Sequence, residues 1–258
     1  MPTDIAFLRQ LAKAAAEQTL PRFRADGHVT NKQRGGFDPV TEADREAERA
    51  IRGLINKTYP RHGILGEEFG AENTDNKHVW VIDPIDGTRA FISGLPVWGT
   101  LVGLTEDGKA IAGLMAQPFT GELYMAAGGE GMHEGPGGKT GLKTKDTASL
   151  DDAILFTTSP KLFEGQELEA YERLESEVKL ARYGCDCYAF ALLAAGHIDA
   201  VVEPGILQPY DIVGLIPLIE AAGGVVTRWD GGPAETGGNV LAAATPALHE
   251  AALAKLNS

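Results

Sequence analysis

The residues best suited to chemistry lie where an apolar run ends in two aspartates. The run 79–82 leads directly into Asp83 and Asp86, and Gly87 and Thr88 follow at once. This pattern predicts a buried strand that delivers carboxylates to a loop with exposed backbone N–H groups. Carboxylates and backbone carbonyls are ligands of Mg²⁺, and N–H groups at a helix start bind phosphate. The segment suits a divalent metal that holds a phosphate, although, taken alone, an ordinary Asp-Gly turn is the better explanation.

Three further acidic segments extend this pattern. Glu67 and Glu68 follow a short apolar run, and Asp211 stands at the start of an apolar helical segment. Asp38 and Asp44 lie before and inside the first turn of a predicted helix. Each segment has an ordinary structural alternative, either a solvated turn or a helix cap. Each segment taken alone favours its ordinary alternative, so the case for a site depends on all segments together.

The net charge supports a metal site independently of any motif. The chain carries 36 acidic against 23 basic residues, a net charge of −13. That balance argues against a nucleic-acid partner, which is bound by neutralising phosphates. An anionic substrate would also be repelled unless bound cations reversed the local field.

The predicted elements divide the chain into two halves. Helical spacing predicts a helix over 5–24 and a second one that starts at Thr41 with Asp44 in a capping box. Strands separated by Asp-Gly and Thr-Gly turns predict an antiparallel meander over 97–127. Alternating strands and helices after about residue 150 indicate an α/β layer with a mostly parallel sheet.

We therefore assign residues 1–145 to an antiparallel-sheet half that carries most candidate ligands. Residues 146–258 form an α/β half that contributes Asp211 and the residues for substrate specificity. The active site is expected between the halves.

The composition and the chain start predict a cytoplasmic protein. No apolar run approaches the length that spans a bilayer, so no membrane partner is expected. The first residues lack the basic start and apolar centre of a secretory signal. Cys185 and Cys187 are too close together to make a disulfide framework, and free thiols fit a reducing compartment.

Together, the acidic segments resemble the motifs of the inositol-monophosphatase family of Mg²⁺-dependent phosphatases. That family carries D-x-V-T-x-A-D, G-E-E, D-P-[IL]-D-G-T and W-D-x-A-[GA] in this order. The counterparts here are 38–44, 66–68, 83–88 and 210–214, with Tyr210 for Trp and Val213 for Ala. The resemblance covers nearly the whole chain. It implies an α/β fold with an α+β first half, layered as the α-β-α-β-α sandwich of inositol monophosphatases and fructose bisphosphatases.

The resemblance also implies a role for each site residue and two or three Mg²⁺ ions per active site. Asp83 would bridge two metals, and two metals can stabilise both the attacking and leaving oxygens of a displacement. Thr88 and Asp44 would form a hydrogen-bonded pair that orients or deprotonates the attacking water. The backbone N–H groups of Gly87 and Thr88 would hold phosphate. The metal ligands would be Glu67, Asp83, the Ile85 carbonyl, Asp86 and Asp211, with Glu67 also counted among the catalytic residues.

Two segments bear on the substrate. Residues 86–91 read D-G-T-R-A-F, and residues 182–188 read R-Y-G-C-D-C-Y, where inositol-type members have D-G-T-x-N-F and a small neutral loop. Both features resemble the histidinol-phosphatase branch, which acts in histidine biosynthesis. Asp186 and Glu203 would attract the cationic groups of histidinol phosphate, with Arg89 beside the phosphate loop. The alternatives are a helix cap for Asp186 and a surface position for Arg89.

Other functions stay open at this point. The same chemistry can serve an inositol phosphate, a sugar phosphate or a 3′-phosphonucleotide. A non-catalytic metal-binding regulator would keep only the fold, although the presence of every expected ligand and of Thr88 counts against it. The resemblance implies a homodimer.

Overall fold

The computed structural model describes residues 5–25, 29–31 and 39–258, and it contains two stacked β-sheets separated and flanked by helices. Asp38, the first residue of the upstream acidic motif, lies outside the described residues. The elements of the first half are α1 (Ile5–Thr19), β1 (Val29–Asn31), β2 (Pro39–Thr41), α2 (Glu42–Thr58), β3 (Gly63–Gly66), β4 (Gly70–Glu72), β5 (His78–Asp86), α3 (Thr88–Ile92), β6 (Gly99–Glu106), β7 (Lys109–Gln117), β8 (Glu122–Ala127), β9 (Glu130–Gly135) and β10 (Gly138–Gly141).

The second half continues with a smaller set of elements. They are β11 (Ile154–Thr157), α4 (Gly165–Glu175), β12 (Leu180–Tyr183), α5 (Asp186–Ala194), β13 (Ala200–Leu207), α6 (Pro209–Ile212), α7 (Ile216–Ala221), β14 (Val225–Arg228), β15 (Gly238–Ala243) and α8 (Pro246–Leu256). In the part of the chain that the structure describes, no helix is long and apolar enough to cross a bilayer.

The first half contains an eight-stranded sheet of order β10-β9-β8-β7-β6-β5-β3-β4. All of its pairings are antiparallel except that of β3 with β5. This confirms the predicted meander. Asp107 and Gly108 join β6 to β7 with φ angles of 51° and 82°, the left-handed backbone that a two-residue hairpin turn needs.

The second half contains a five-stranded sheet of order β12-β11-β13-β15-β14. Four of its five strands run in the same direction, which agrees with the prediction of a mostly parallel sheet, whereas β15 runs opposite to them and pairs antiparallel with both β13 and β14. The connection from β14 to β15 is short and contains no crossover helix, and strands joined in that way can pair only antiparallel. Only the two pairings of β11 are parallel among the described strands of this sheet.

Alternate residues of the strands face different layers. In β5, Trp80 and Ile82 pack against α1 and α2, whereas Val81 packs toward the helices between the sheets. In β13, Val201 faces the same middle layer, whereas Val202 packs with α4 and α8. The order of layers is therefore α-β-α-β-α, which confirms the predicted fold class. The halves 1–145 and 146–258 each hold one of the two stacked sheets, the first half also holds the small pair of β1 and β2, and their status as separate units stays a prediction.

The start of α2 confirms the predicted capping box. The Thr41 hydroxyl accepts from the Ala43 N–H at 3.1 Å, and Asp44 Oδ2 accepts from the Thr41 N–H at 2.8 Å. These bonds satisfy N–H groups that the first turn of a helix leaves without partners. The first turn of α2 is thereby fixed next to the carboxylate of Asp44.

The predicted single helix over 211–222 is divided into α6 and α7. The turn between them lies so close to the first sheet that only glycine fits opposite it. A Cβ on Gly113 would lie 2.0 Å from the Gly214 carbonyl oxygen, and one on Gly103 would lie 2.7 Å from Val213 Cγ1. This close approach brings α6, and with it Asp211, to the first sheet.

Candidate metal centre

An irregularity in β5 turns Asp83 and Asp86 toward the same point. In a regular strand, residues three apart point to opposite faces of the sheet. Here the pairing with β6 shifts between Asp83 and Asp86, which lie opposite Leu101 and Gly99. Pro84 lies inside this bulge and has no N–H to give to the ladder.

The bulge and the α6 turn together produce a cluster of three carboxylates. One oxygen from each of Asp83, Asp86 and Asp211 lies within 4.8 Å of the other two. Asp211 stands at the third position of α6, and its Oδ2 accepts from the Gln208 N–H at 2.6 Å. Asp211 is therefore not the helix cap itself, and its carboxylate is oriented by the first turn of α6.

The cluster is an unfavourable place for negative charge without a cation. Burial raises the pKa of Asp83 well above its usual range, and the neighbouring Glu67, Asp86 and Asp211 raise it further. Burial also raises the pKa of Asp86, and it raises the pKa of Asp211 to about 7. Buried carboxylates that repel one another gain most from a bound cation.

Glu67 is a fourth acidic residue beside this cluster. It follows β3, and its N–H donates to the Ile82 carbonyl at 3.1 Å, which extends the parallel pairing toward the end of β5. The Glu67 carboxyl group lies close enough to that of Asp83 to raise the pKa of Asp83. The structure therefore brings Glu67, Asp83, Asp86 and Asp211 together, as the motifs predicted.

The loop after Asp86 brings backbone groups to the same place. Gly87 has a φ of 80° and precedes the first turn of α3, a left-handed conformation that glycine adopts without strain. The Thr88 hydroxyl donates to the Ile85 carbonyl at 3.0 Å, and the Ile85 N–H donates to Asp83 Oδ1 at 3.0 Å. The Ile85 carbonyl and both predicted phosphate-binding residues thus adjoin the cluster.

The expected hydrogen bond between Thr88 and Asp44 is not formed in this structure. The Thr88 hydroxyl has one proton, which it gives to Ile85. Asp44 is 1% exposed, its Oδ2 accepts from Thr41, and its Oδ1 has no hydrogen-bond partner among the residues that the structure describes. Burial raises the pKa of Asp44 to about 6. A buried carboxylate oxygen without a partner costs free energy, so Asp44 Oδ1 can accept a hydrogen bond from a nearby donor.

Asp186, the first residue of α5, reaches Gly87 of the predicted phosphate-binding loop. A Cβ on Gly87 would lie 3.0 Å from Asp186 Oδ2. Burial raises the pKa of Asp186 to about 6, while the charge of Arg89 and a hydrogen bond with Thr158 oppose the shift. Asp186 is the first residue of α5 rather than its cap, and that place is taken by Cys185. The helix-cap alternative for Asp186 is therefore wrong.

The start of α5 is instead held by Asp86. Asp86 Oδ1 accepts from the Cys187 N–H at 2.7 Å, a contact between residues that are 101 positions apart. Cys185 and Asp186 both have left-handed backbone, with φ angles of 83° and 43°. Such conformations cost energy for residues other than glycine and persist where the surroundings hold them. The side-chain types in the sequence do not predict this contact, because its donor is a backbone N–H.

Glu203, on β13, is more deeply buried than Asp186. It is 2% exposed, its Oε1 accepts from the N–H and hydroxyl of Thr158 at 2.7 and 3.0 Å, and its Oε2 accepts from the Thr157 hydroxyl at 3.4 Å. Burial raises the pKa of Glu203 to about 8. Thr158, which contacts both acids, was missed by sequence reasoning, although its place at the end of β11 is a usual place for site residues.

The donor set fits a divalent cation with hard-oxygen preference. The carboxylates converge from β5, the β3 turn and α6, and one backbone carbonyl adjoins them. Oxygen ligands of this kind suit Mg²⁺, which usually keeps several waters and binds substrate phosphate besides a few carboxylates. The arrangement can hold a cation and present it to an anionic group at the Gly87 loop.

Comparisons with known proteins agree with this chemistry. A family model described as the inositol monophosphatase family matches residues 2–258. The chain is 41% identical over 257 residues to the bifunctional phosphatase IMPL2, chloroplastic, of Arabidopsis thaliana, covering 95% of this chain and 72% of the relative. It is 34% identical over 250 residues to the histidinol-phosphatase of Chlorobaculum parvum, covering 96% and 94%.

Among solved structures, the fold is similar to an inositol monophosphatase from Zymomonas mobilis. The TM-score is 0.87 and the sequence identity is 37%, covering 99% of this chain and 98% of that chain. The relatives therefore include proteins named for two different substrates.

Proposed function

The chain belongs to the inositol monophosphatase family and is a phosphoric monoester hydrolase, and we propose that its substrate is L-histidinol phosphate, which it hydrolyses to L-histidinol and phosphate in histidine biosynthesis. The observation that carries this proposal is the Asp186 carboxylate beside the phosphate-loop residue Gly87. A carboxylate at that place suits a substrate whose body carries an ammonium group.

In this proposal the metal ligands are Glu67, Asp83, the Ile85 carbonyl, Asp86 and Asp211, which would hold two or three Mg²⁺ ions. When bound, these ions neutralise phosphate charge and polarise the attacking water. The distances among Asp83, Asp86 and Asp211 support this assignment. So does the mutual repulsion that raises the pKa of Asp83.

Thr88 and Asp44 would handle the proton of the attacking water. The Thr88 hydroxyl now donates to the Ile85 carbonyl, which is also a proposed metal ligand. Rotation of the hydroxyl would direct its proton to the buried Asp44 Oδ1, which has no hydrogen-bond partner among the described residues. Thr88 Oγ1 would then accept from water, and the raised pKa of Asp44, about 6, suits a group that accepts a proton near neutral pH.

The remaining residues would hold the two ends of the substrate. The N–H groups of Gly87 and Thr88 point from a loop and helix start, where backbone donors bind phosphate. Asp186, with Glu203 behind it, would bind the cationic end through a charge-assisted hydrogen bond. Arg89 lies close enough to Asp186 to affect its pKa, so it would orient that carboxylate.

The second candidate substrate is inositol 1-phosphate. It is favoured by the solved inositol monophosphatase, which covers nearly all of this chain at 37% identity. A substrate body that carries only hydroxyls gains less from Asp186 than an ammonium does, because a neutral hydrogen bond is weaker than a charge-assisted one. The loop at 182–188 therefore discriminates between the two substrates.

The decisive experiment compares phosphate release from histidinol phosphate, inositol 1-phosphate and adenosine 3′,5′-bisphosphate, each with Mg²⁺ and with chelator. We expect release that requires Mg²⁺ and a kcat/KM that is highest for histidinol phosphate. Release from inositol 1-phosphate without release from histidinol phosphate would refute histidinol phosphate as the substrate. Release that persists in chelator would refute the metal assignment.

Replacing Asp186 with asparagine tests the specificity residue alone. We expect KM for histidinol phosphate to rise about tenfold, the loss of one charge-assisted contact of about 1.4 kcal/mol. KM for a neutral ester such as inositol 1-phosphate should change much less. Equal changes for both substrates would leave Asp186 with a structural role only.

We also infer a homodimer in the cytoplasm, as family resemblance and the free cysteines suggest. Sedimentation would test the first part, since a dimer has twice the chain mass of 27.4 kDa.

A further inference from the structure

A buried glutamate on α2 holds the loop that carries Glu67. Glu48 is fully buried, with 0% exposure. Its Oε2 accepts from the Glu68 N–H at 2.7 Å, and its Oε1 accepts from the Phe69 N–H at 3.3 Å. These amides immediately follow Glu67, so the carboxylate of Glu48 fixes the backbone on which Glu67 stands.

Gly66 makes room for this contact from the other side of Glu67. A Cβ at position 66 would lie 1.8 Å from Glu48 Oε1, which no real contact allows. The glycine of the Gly66-Glu67-Glu68 segment is therefore needed because the Glu48 carboxylate occupies the place of its side chain. Both backbone neighbours of Glu67 are thus in contact with one residue of α2.

Three arginines lie on the same face of α2 as Glu48. Arg52 donates to Glu48 Oε1 at 2.7 Å, and it also bonds the Gly70 carbonyl. Arg45 lies 3.9 Å from the Glu68 carboxylate, and the Arg49 guanidinium lies 5.0 Å from the centre of the Phe69 ring.

These residues recur at helical spacing, so they share one face of α2. We call them the α2 stripe: Arg45, Glu48, Arg49 and Arg52.

The α2 stripe concentrates three positive side chains on one loop of a chain with a net charge of −13. Apart from the ion pairs within α2 and the close approach of Glu48 to Gly66, the contacts described above end on residues 68–72, directly after Glu67. The first turn of α2 carries Asp44, so one helix sets the position of two acidic residues of the site. A buried carboxylate with only a structural role could accept from any N–H groups. Glu48 instead accepts from the amides that adjoin Glu67, which is a candidate ligand.

We propose that Glu48, supported by the arginines of the α2 stripe, is a positioning residue that preorients Glu67 for its cation. This inference rests on the proposed role of Glu67 as a metal ligand. With its backbone fixed, Glu67 has less conformational freedom to lose when a cation binds. Partners outside the ligands themselves typically change metal affinity by about 10- to 100-fold when mutated.

The test is Glu48→Gln, which keeps the shape of the side chain. Glutamine has one acceptor oxygen, and its NH₂ group faces either an amide N–H or Arg52, so at least one bond is lost. Titration of the metal-free protein with Mg²⁺, followed by calorimetry and by the rise in Tm, should give an affinity about 10- to 100-fold weaker than wild type. Amide exchange at Glu68 and Phe69 should be faster in the metal-free variant.

Matched variants separate this role from general stability. Glu169→Gln changes an exposed glutamate of α4 and should leave Mg²⁺ affinity unchanged. Glu67→Gln should weaken Mg²⁺ binding directly. A Glu48→Gln protein with a lower Tm but wild-type Mg²⁺ affinity would overturn the positioning role. Failure of the proposed metal function looks different, because the wild-type protein itself would then show no Mg²⁺ response.

Arg45→Gln covers the case in which Glu48→Gln does not fold. Arg45 is half exposed, so its replacement leaves the core intact. We expect Mg²⁺ affinity to fall two- to threefold, as about 0.5 kcal/mol for a partly exposed ion pair implies. Unchanged Mg²⁺ affinity together with unchanged amide exchange at Glu68 would overturn the proposal.

Discussion

Asp83→Asn is expected to lower kcat/KM by at least about 10³-fold, which corresponds to about 4 kcal/mol of lost transition-state stabilisation. Asp83 lies at the centre of the carboxylate cluster, next to Glu67, Asp86 and Asp211. Removal of its charge weakens attraction for every cation that the cluster would hold. Activity within a few-fold of wild type would show that Asp83 is not a shared ligand.

The same substitution should leave the metal-free protein at least as stable as wild type. Asp83 is 2% exposed, and its carboxylate faces other carboxylates. A neutral amide removes that repulsion and can still accept from the Ile85 N–H through its oxygen. In metal-free buffer, Tm should be equal or higher, and the rise in Tm on adding Mg²⁺ should be lost.

Asp199→Asn is the matched control, because Asp199 is a buried aspartate with a cationic partner. Lys145 Nζ lies 3.1 Å from Asp199 Oδ2, and the Ile154 N–H donates to the same oxygen at 2.8 Å. Here the loss of charge should lower Tm, since it leaves Lys145 without its ion pair. The Mg²⁺ response should persist. Opposite signs for the two variants would separate a binding carboxylate from a structural one.

Gly113→Ala is expected to destabilise the protein by on the order of 3 kcal/mol, near the upper end for overpacked sites. The new Cβ would lie 2.0 Å from the Gly214 carbonyl oxygen, and backbone cannot move aside as a flexible side chain can. The turn between α6 and α7 must shift away from β7. Because Asp211 lies on α6, Mg²⁺ affinity should fall as well.

Chemical denaturation and a Mg²⁺ titration of the Gly113 variant measure both effects. Gly53→Ala is the control, since a Cβ at this exposed position in α2 would meet nothing within 4 Å. There alanine should stabilise by about 0.5–1 kcal/mol, as it does in exposed helix interiors. A Gly113→Ala protein as stable as wild type would mean that the α6 turn packs less closely than described.

Local signals predicted much of the fold and of the site. The bounds of β8 and the capping box at Thr41 follow from residue types within a few positions of each other. The same holds for the hairpin at Asp107-Gly108. The ordered acidic motifs likewise predicted which carboxylates meet around Asp83.

The features that sequence reasoning missed have distant causes. The break between α6 and α7 arises where Gly214 meets Gly113, about a hundred residues away in the chain. The antiparallel place of β15 depends on its partners β13 and β14. Periodicity within one segment carries no information about either contact.

Asp86 has two attachments, to the carboxylate cluster and to the Cys187 N–H at the start of α5. The proposed specificity loop at 182–188 is therefore not an interchangeable module. A loop transplanted from a relative with another substrate must present an N–H at the same point, or Asp86 will move as the loop moves. Redesign of substrate choice in this chain thus starts from the backbone path through Cys185 and Asp186, and only then from side chains.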